Sequence, residues 1–519
     1  MIKLTRRRLL HLTAGPIALS ITSRIAMAQN NPSPPRERPL AERLAAYAHA
    51  LRYDDLDAAT VERIKVHVID TIGCGIGAFE EKAVRICREI ALTVPGTATV
   101  IGTSRRTTPD LASFANGAAF RFLDFNDTYV GRFAVHPSDT IAACLAVAEA
   151  ERANAQDLIT AIALAYEVNS RLVDSLDIAA RGWDPPVFSL PAVALAAGKL
   201  MKLDSERLTH AVGLAINDHI PMAQTRIQTL SDWKGLAAAE AARNAVFAAL
   251  LARGGVTGPA PIFEGRSGFF KQVSGPADVD VETFGRRGVP FRIHQCSLKA
   301  YPAVIYTQTA IVAGIEVAKE VGSLDRIAAI EIATTGRGFE RTGSEPEKWS
   351  PQTRETADHS LPYITARAMV DGDITNESFA PQMYRDPRIL AFMQKIKVSE
   401  DPILTARVGG AVPTRVTAIL LDGQRISREI DYAPGFAARP MNRDEMNANF
   451  AATWVSAGTK IGRTASCKRC GRSIERTICL RYWASLHCRH RKGRRTSELG
   501  QSRHFWPRRR GHSCPLCPQ

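Results

Sequence analysis

The 519-residue chain lacks several features that define common protein classes. Its amino-terminal apolar stretch, residues 9–21, is too short and too interrupted for a stable transmembrane helix. It has no Gly-rich phosphate-binding loop, no H-E-x-x-H zinc motif and no EF-hand loop. No internal repeat is evident. These absences argue against a membrane-spanning protein, a nucleotide-binding enzyme and the metal enzymes that such motifs define.

Acidic residues are scarce only at the two ends of the chain. The net charge is +15, from 67 Lys/Arg and 52 Asp/Glu. Residues 460–519 contain 16 basic and two acidic residues, and the first 28 residues contain five basic and none acidic. The body, residues 29–459, therefore holds 46 basic and 50 acidic residues and is mildly acidic. The basicity does not indicate a nucleic-acid-binding body, and we expect no nucleic-acid partner.

Cysteine is scarce in the body, which has only Cys74, Cys87, Cys144 and Cys296. The first three lie in apolar runs, where a buried and unreactive thiol is expected. Six more lie in residues 458–519, a segment rich in Arg, His and Cys with two widely separated C-x-x-C pairs. We interpret this tail as disordered or translated in a shifted reading frame. The alternative is a zinc-binding or nucleic-acid-binding appendage.

The amino terminus resembles a twin-arginine export signal. T-R-R-R-L-L at residues 5–10 precedes the apolar stretch, and A-M-A at residues 26–28 offers a cleavage site. Residues 1–28 are therefore predicted to direct the folded protein to the periplasm. If the signal is not used, the expected location is the cytoplasm. Residues 29–38, with three prolines, are predicted to be a linker.

The body divides into two patterns. Apolar residues at helical spacing dominate residues 39–272, which predicts an all-helical domain. Segments 327–334 and 415–421 are β-rich, and the Asp-Gly pair at 422–423 predicts a hairpin with 425–432. Helical patterns at 303–320, 359–370 and 387–397 surround them, and 97–102 could be a short extended segment. The sequence predicts a mainly α protein with a large helical domain, a smaller α+β lid domain at 273–436, and a returning helix at 437–457.

Chemistry-bearing side chains concentrate in residues 121–139, between two Ala-rich helical runs. The loop reads R-F-L-D-F-N-D-T-Y at 121–129 and H-P-S-D at 136–139. Loops held between rigid helices are common places for proton-transfer chemistry. Pro137 fits the first position of a helix, where free amides favour an anion. A polar connection with Asp caps accounts for the local pattern equally well.

Three later segments place polar residues at predicted helix starts. They are S-D-W-K ending at Lys234, S-L-K-A-Y-P around Lys299, and D-H-S-L-P-Y at 358–363. A lysine at a helix start opposes the helix dipole, so it either pairs with a carboxylate or is exposed. Together the segments would suit a multiply charged small anion. Asp124 and Asp127 lack further ligands at metal-binding spacing, and no metal is expected.

Six blocks in this order resemble a known family: RFLDFNDTY, HPSDTIAACLAVAEA, SDWKGLAAAEAARNAVFAALLARGGVTGP, FEGRSGFF, LKAYPAVIYTQTA and ETADHSLPYITARAMVDG. They are similar to the 2-methylcitrate dehydratase (MmgE/PrpD) family, which includes cis-aconitate decarboxylase and iminodisuccinate epimerase. The resemblance covers roughly residues 38–455. It implies an active site between the helical domain and the lid, usually in a homodimer, without a metal or organic cofactor.

The resemblance also implies roles for individual residues. Asp124 and His136 match the acid/base positions, and Lys234 and Lys299 match the lysines expected to hold substrate carboxylates during catalysis. The implied substrate-binding residues are Arg121, Thr128, Arg132, Met222, His359, Ser360 and Tyr363.

Two positions depart from the family pattern. Many members have a histidine at or next to Asp184, where this chain continues Pro185-Pro186, and Val304 stands where His, Glu or Gln is common. The loss of two polar groups argues against 2-methylcitrate or cis-aconitate as the substrate. The expected activity is a dehydratase-type carbon–oxygen lyase that removes a proton next to a carboxylate of a small di- or tricarboxylic acid. The alternatives are an epimerase or isomerase, a decarboxylase, or a catalytically impaired periplasmic carboxylate-binding protein.

Overall fold

A computed structural model describes residues 38–407, 410–442 and 445. The predicted export signal, nearly all of the linker, the tail and most of the predicted returning helix lie outside the described residues. The described part from Pro39 onward belongs to one compact unit with two large hydrophobic cores. The chain is mainly helical with a small sheet in its second half, as the sequence predicts.

The first half is built from nine α-helices among the described residues, with two short antiparallel hairpins between them. The helices are α1 (Leu40–Ala50), α2 (Ala58–Gly77), α3 (Lys82–Ala91), α4 (Pro109–Phe122), α5 (Ile141–Ala150), α6 (Ala155–Ser175), α7 (Ser189–Leu200), α8 (Ser205–Asn217) and α9 (Ala237–Arg253). The hairpin strands are β1 (Ala98–Thr99), β2 (Arg106–Thr107), β3 (Tyr129–Val130) and β4 (Ala134–Val135).

Small residues allow these helices to pack closely around α4, α5, α7 and α9. A Cβ atom at Gly117 of α4 would lie 3.1 Å from the Cβ of Ala239 in α9. A Cβ at Gly235, just before α9, would lie 3.2 Å from the Cα of Phe122 at the end of α4. The start of α9 can therefore contact the end of α4, and this contact brings Lys234 close to the loop that follows α4.

The second half is a four-stranded sheet with short helices around it. The strands are β5 (Ile327–Thr334), β6 (Ile396–Glu400), β7 (Thr414–Leu420) and β8 (Arg425–Ile430), in the spatial order β6-β5-β7-β8. β5 is parallel to β6 and antiparallel to β7, and β7 pairs with β8 from Thr414 opposite Ile430. The helices are α10 (Gln308–Val321), α11 (Gly336–Thr342), α12 (Arg354–Ala357), α13 (Leu361–Asp371), α14 (Pro381–Tyr384), α15 (Pro387–Met393) and α16 (Pro402–Thr405).

The two large cores follow the two halves. One runs from Leu40 to Cys296, and the other from Ala303 to Ile426. A smaller cluster packs Val304, Ile305 and Tyr306 with the partly buried Val130 and Ala134 of the β3–β4 hairpin. This cluster joins the two halves beside the loop that follows α4.

Most predicted elements are confirmed, with one correction. The Asp-Gly hairpin forms between β7 and β8, where Gly423 has a φ of 85°. The helix predicted at 387–397 is wrong at its end, because α15 stops at Met393 and β6 begins at Ile396. β6 buries Ile396 and Val398 against the sheet, so pairing with β5 overrides the helical pattern there. Cys74, Cys87, Cys144 and Cys296 are buried free thiols.

Among the described residues, no helix is both long enough and apolar enough to cross a membrane.

Candidate active site

The end of α4 sets the position of Asp124. The helix stops at Phe122, and Asp124 adopts a left-handed backbone conformation with a φ of 53°. Aspartate tolerates this conformation better than most residues. The turn brings the Asp124 carboxylate back to the guanidinium of Arg121, which donates a hydrogen bond to it. Both side chains are buried, so the loop begins with an enclosed ion pair.

Two buried lysines complete the surroundings of Asp124. Lys299 donates a 2.6 Å hydrogen bond from Nζ to the Asp124 carbonyl and lies 3.3 Å from its carboxylate. Lys234 Nζ lies 3.9 Å from Oδ1 of Asp124. Both lysine side chains have 0% exposure. Of the two alternatives for a lysine at a helix start, pairing with a carboxylate therefore applies to Lys234 and Lys299, and exposure does not.

Asp358 forms a second anionic centre next to the first. It accepts 3.1 Å hydrogen bonds from Lys234 and a 3.0 Å hydrogen bond from Arg354. His359 Nδ1 lies 2.6 Å from Oδ1 of Asp358. A carboxylate accepts hydrogen bonds, so this contact places a proton on Nδ1 and leaves Nε2 of His359 unprotonated.

The charges in this cluster keep both aspartates ionised. Burial alone would raise the pKa of Asp124, but the charges of Arg121, Lys234 and Lys299 hold that pKa well below its usual value. For Asp358, burial is likewise outweighed by the charge of Lys234 and the hydrogen bond from His359, so its pKa is also lowered. Burial lowers the pKa of Lys299 to about 8.

The imidazole of His136 is held through hydrogen bonds at Nδ1, which leaves Nε2 to accept a proton. Nδ1 lies 2.6 Å from the carbonyl oxygen of Asp127 and 3.3 Å from Oγ1 of Thr128. A carbonyl can only accept, so the proton is on Nδ1 and Nε2 carries the lone pair. Burial, together with the charges of Arg121 and Lys299, lowers the pKa of His136 well below 6.5. The ring is therefore neutral near pH 7, in the form that can accept a proton.

Asp127 holds this loop rather than lining the cavity. Its carboxylate contacts His67 Nδ1 at 2.7 Å and accepts hydrogen bonds from Tyr166 at 2.8 Å and from the Ser138 amide at 3.0 Å. The side chain of Asp127 is fully buried. These bonds fix the Asp127 backbone, whose carbonyl in turn orients His136.

Thr128 ties the loop to the segment that carries Lys299. Its amide donates to the Ser297 carbonyl at 2.8 Å, and the Ser297 amide donates to the Thr128 carbonyl at 2.7 Å. This isolated β-bridge joins residues far apart in the chain. Thr128 therefore has a clear positioning role, and its side chain is buried beside His136.

A cavity opens where the helical half meets the sheet-containing half. Arg121 and His136 line it from the loop after α4, His359 lines it from the start of α13, and Val304 lines it from the segment before α10. Asp124, Lys234 and Lys299 lie directly beneath this lining. Asp124 contacts Arg121 of the lining, and Lys234 contacts Asp358, which bonds to His359 of the lining.

Asp139 is a cavity residue that the site prediction omitted, although it belongs to the H-P-S-D motif. Its Oδ1 accepts a 2.9 Å hydrogen bond from Asn126, and its Oδ2 lies 3.8 Å from Nε of Arg121. The side chain lines the cavity and is almost fully buried. Burial raises the pKa of Asp139 to about 7. A substantial fraction of Asp139 therefore carries a proton near neutral pH, unlike Asp124 and Asp127.

Three further charged residues line the cavity without having been predicted from the sequence. Asp184 is fully buried and pairs with Arg226, whose Nε lies 2.9 Å from Oδ1. Arg226 also donates to the Lys234 carbonyl at 3.0 Å, and Arg341 lines the cavity from α11. Asp184 was mentioned in the sequence only as the residue before Pro185, and Arg226 and Arg341 lie in no recognisable motif.

Four predicted substrate-binding residues do not line this cavity. Arg132 is exposed and donates to the Asp174 carbonyl at 2.8 Å, and Met222 is 68% exposed on the surface. Ser360 accepts a hydrogen bond from the Tyr363 amide and caps α13. The Tyr363 side chain is buried in the second core, where its hydroxyl donates to the Ser378 carbonyl. Of the eleven predicted site residues, the other seven gather at or directly beneath the cavity.

Within the described residues, no group of three or more His, Cys, Asp or Glu side chains is placed to hold a metal ion. The cavity lining includes two histidines, His136 and His359, together with acidic and cationic side chains. The neutral imidazoles of His136 and His359 and the proton-bearing carboxyl of Asp139 lie close to Arg121, Lys234 and Lys299, which we call the cationic layer. This arrangement suits proton transfer on an anionic substrate.

Comparison with known proteins gives consistent matches over most of the chain. Residues 42–282 match the MmgE/PrpD N-terminal domain, and residues 301–460 match the MmgE/PrpD C-terminal domain. The 2-methylcitrate dehydratase of Escherichia coli (strain K12) is 27% identical over 426 residues, which cover 75% of this chain and 85% of the relative. The Cupriavidus necator 2-methylcitrate dehydratase is 27% identical over 453 residues, covering 80% and 89%. The cis-aconitate decarboxylase of Mus musculus is 23% identical over 438 residues, covering 80% and 86%.

Proposed function

Because this chain belongs to the MmgE/PrpD family, we propose that it is a dehydratase-type carbon–oxygen lyase acting on a small hydroxy carboxylic acid with at least two carboxylates. The relatives named 2-methylcitrate dehydratase support the reaction class. The observation that carries the proposal is the pairing, in one cavity, of a neutral His136 with the raised-pKa carboxyl of Asp139. Dehydration requires one group that accepts a proton and another that donates one.

In this mechanism His136 is the base. Its Nε2 removes a proton from the carbon next to a substrate carboxylate, and the electrons of that C–H bond form the new carbon–carbon double bond. Asp127 and Thr128 support this role because they hold Nδ1 and fix the ring orientation. His359 lines the same cavity, and burial together with the charge of Lys234 lowers its pKa to about 4. The base is assigned to His136 because its ring is held by the same loop that carries Asp139.

Asp139 is the acid. The hydroxyl on the neighbouring carbon leaves with its bonding electrons and takes the Asp139 proton, so the products are water and an unsaturated carboxylate. The ionised Asp139 that results is stabilised by Arg121 and by the hydrogen bond from Asn126. Asp124 is not suited to donate a proton, because three cations keep it ionised.

The cationic layer stabilises the negative charge that develops on the substrate carboxylate as the proton leaves. Arg121 lines the cavity directly, while Lys299 and Lys234 lie beneath it with Asp124. Fixed charges in a buried site need little reorganisation during the reaction, so they contribute strongly to lowering the barrier. The two lysines are thus proposed to act by electrostatics and by positioning.

A screen of hydroxy di- and tricarboxylic acids for the ultraviolet absorbance of a new double bond tests the proposal. The expected result is absorbance that grows with enzyme concentration for at least one β-hydroxy acid. The same acids should be incubated in deuterium oxide and followed by NMR, because α-proton exchange reports base chemistry independently of product formation.

The outcomes separate the competing functions. Exchange with inversion but no new double bond would indicate an epimerase, and release of carbon dioxide would indicate a decarboxylase. Binding without exchange would indicate a carboxylate-binding protein without activity. Each of these three results would contradict the dehydratase proposal.

We also propose that the protein is a homodimer. Trp233 and Met222 line a surface groove with residues of α9, and Phe247 lies further along the same helix. Their exposed fractions of 46%, 68% and 49% are high for large apolar side chains. A second copy of the chain covering this surface would bury them. Export to the periplasm by the twin-arginine signal is likewise proposed, on the sequence of residues 1–28.

A further inference from the structure

The three arginines that line the cavity differ in the partners of their guanidinium groups. Arg121 donates a hydrogen bond to the carboxylate of Asp124. Arg226 donates a 2.9 Å hydrogen bond to the carboxylate of Asp184. Arg341 lines the cavity from α11 and makes no hydrogen bond with any residue that the structure describes. Its N–H donors are therefore available to a ligand in the cavity.

The neighbouring carboxylate of Glu340 satisfies Arg341 only weakly. Oε1 of Glu340 lies 3.8 Å from Nη2 of Arg341, which is too far for a hydrogen bond. The other oxygen, Oε2, accepts a 3.0 Å hydrogen bond from Arg337. The Glu340 side chain is 54% exposed, and ion pairs with exposed groups contribute little. A ligand carboxylate can therefore replace this contact at little cost.

The charge of Arg341 acts on the interior of the cavity. Arg341 lines it beside Ile305 and Tyr306, and α11 packs against the segment that carries these two residues. Burial raises the pKa of the Tyr306 hydroxyl, and the charge of Arg341 is the largest effect that opposes this rise. A guanidinium beside apolar and aromatic side chains is partly removed from water, so an anionic partner is favourable there.

Arg341 and the reacting groups lie on opposite sides of the boundary between the two halves. Arg121, His136 and Asp139 belong to the first half, and Arg341 belongs to the second. In the proposed dehydration, the carboxylate next to the leaving proton lies near His136 and Arg121. Arg341 is then available to a different carboxylate of the same substrate.

From these observations we infer that Arg341 binds the substrate carboxylate that is remote from the leaving proton, and that it thereby selects acids with a second carboxylate. The planar guanidinium can donate two parallel hydrogen bonds to one carboxylate, which fixes the orientation of the bound acid. The inference rests on the proposed function for the position of the reacting carbon. Its claim concerns recognition, so binding tests it without turnover.

The test compares malate with 3-hydroxybutyrate. Both acids keep a carboxylate next to a carbon that can lose a proton, but 3-hydroxybutyrate has a methyl group in place of the carboxylate on the hydroxyl-bearing carbon. Citrate is a larger acid that contains the malate pattern. Affinity is measured by isothermal titration calorimetry with the full-length protein. We expect malate and citrate to bind about tenfold or more tightly than 3-hydroxybutyrate, because hydrogen bonds between charged groups are strong.

Arg341→Gln removes the charge and keeps a polar side chain. It should weaken malate binding about 10- to 100-fold and change 3-hydroxybutyrate binding by less than about twofold. Arg341→Lys keeps the charge without the planar fork and should give an intermediate affinity. Arg388→Gln is the control, since it removes the same charge from a side chain that is 90% exposed and outside the cavity lining. Its affinities should match those of the wild type.

Kinetics give a second readout for any acid that is dehydrated. Arg341→Gln should raise KM and change kcat by less than about threefold, because the remote carboxylate is bound equally in the ground state and in the transition state. Circular dichroism confirms that each variant is folded. The wild-type comparison of malate with 3-hydroxybutyrate tests the inference even if Arg341→Gln is not folded.

The results distinguish failure of the inference from failure of the proposed function. A preference for malate that Arg341→Gln abolishes, without dehydration of any acid, would support the inference and contradict the dehydratase proposal. Dehydration by the wild type, with the same preference for malate in Arg341→Gln, would overturn the inference and leave the proposed function intact. Equal wild-type affinity for malate and 3-hydroxybutyrate, or no binding of malate and citrate, would also overturn the inference.

Discussion

At the scale of single residues, the acids of one loop have opposite protonation behaviour. Asp124 is surrounded by Arg121, Lys234 and Lys299, so its pKa is held well below the usual value. Asp139 has a more distant contact with Arg121 and, among the described residues, no lysine partner, and burial raises its pKa to about 7. The sequence shows both acids in a polar loop, but the difference between them depends on burial and on partners more than 100 residues away.

The pH dependence of turnover follows from these two shifts. Asp139 can donate only while protonated, so kcat/KM should fall as the pH rises through about 7. His136 can accept only while neutral, and its lowered pKa puts the acidic limb well below pH 6.5. Asp139→Asn should reduce kcat by about 10²- to 10⁴-fold and remove the decline near pH 7. The pH profile of the best hydroxy acid from the screen measures both effects.

Asp54→Asn is the control for this variant, because Asp54 is exposed and lies away from the cavity. Its profile should match that of the wild type. Full activity of Asp139→Asn with an unchanged alkaline limb would remove Asp139 from the mechanism.

Asp124→Asn should reduce stability. The substitution leaves Arg121, Lys234 and Lys299 buried without their shared carboxylate, and loss of one partner of a buried ion pair costs about 3–5 kcal/mol. Because the pKa of Asp124 is lowered on folding, its contribution is present above the unfolded pKa and is lost as the pH falls through the folded pKa. Urea unfolding at pH 7 therefore measures the full effect. A free energy of unfolding within 0.5 kcal/mol of the wild type, on the order expected for surface substitutions, would show that Asp124 is not the centre of this cluster.

At the scale of elements, the sequence pattern predicts the helices and hairpins that are determined by interactions between residues close together in the chain. The Asp-Gly turn fixes the β7–β8 hairpin, and helical spacing fixes long helices such as α6 and α9. β6 was missed because its partner β5 precedes it by more than 60 residues, and a parallel pair has no turn signal. The same limitation applies to the site, where the Thr128–Ser297 bridge joins two loops without any local signature.

Ser360 lies in a segment that the sequence predicts to bind substrate, but its contacts are those of a helix cap. Its hydroxyl caps α13 by accepting from the Tyr363 amide, and it donates to the Lys348 carbonyl. Ser360→Ala should therefore lower the free energy of unfolding by about 1 kcal/mol, as for other N-caps, and leave KM nearly unchanged. Denaturant unfolding and steady-state kinetics measure the two effects.

Asp57→Ala serves as the comparison, since Asp57 caps α2 by accepting a 2.7 Å hydrogen bond from the Thr60 amide. The two variants should lose similar stability. A large rise in KM for Ser360→Ala with unchanged stability would restore its predicted role in substrate binding.

At the scale of the whole molecule, the fold brings together seven of the predicted site residues from four separate segments. Asp124 and His136 come from the loop after α4, Lys234 from the start of α9, Lys299 from the connection between the halves, and His359 from the start of α13. The family resemblance predicted this grouping. Arg226 and Arg341 were not predicted, because the surroundings of a cavity depend on packing between the two halves.

The exposed apolar surface along α9 gives a prediction for the assembly. Trp233→Glu should convert the proposed homodimer to a monomer in sedimentation velocity, because a charged side chain would be buried in the interface. Ile403→Glu, at another exposed apolar side chain on α16, should leave the dimer intact. A wild-type protein that sediments as a monomer at all concentrations would contradict the dimer.

The most direct test of the account is the rate of double-bond formation by the wild type and by His136→Ala on the same hydroxy acid from the screen. His49→Ala is the control, since His49 is exposed at the end of α1. Removal of the base should reduce kcat by about 10²- to 10⁴-fold while binding of the acid persists, and His49→Ala should have wild-type activity. Wild-type turnover by His136→Ala would contradict the assignment of His136 as the base and with it the proposed mechanism.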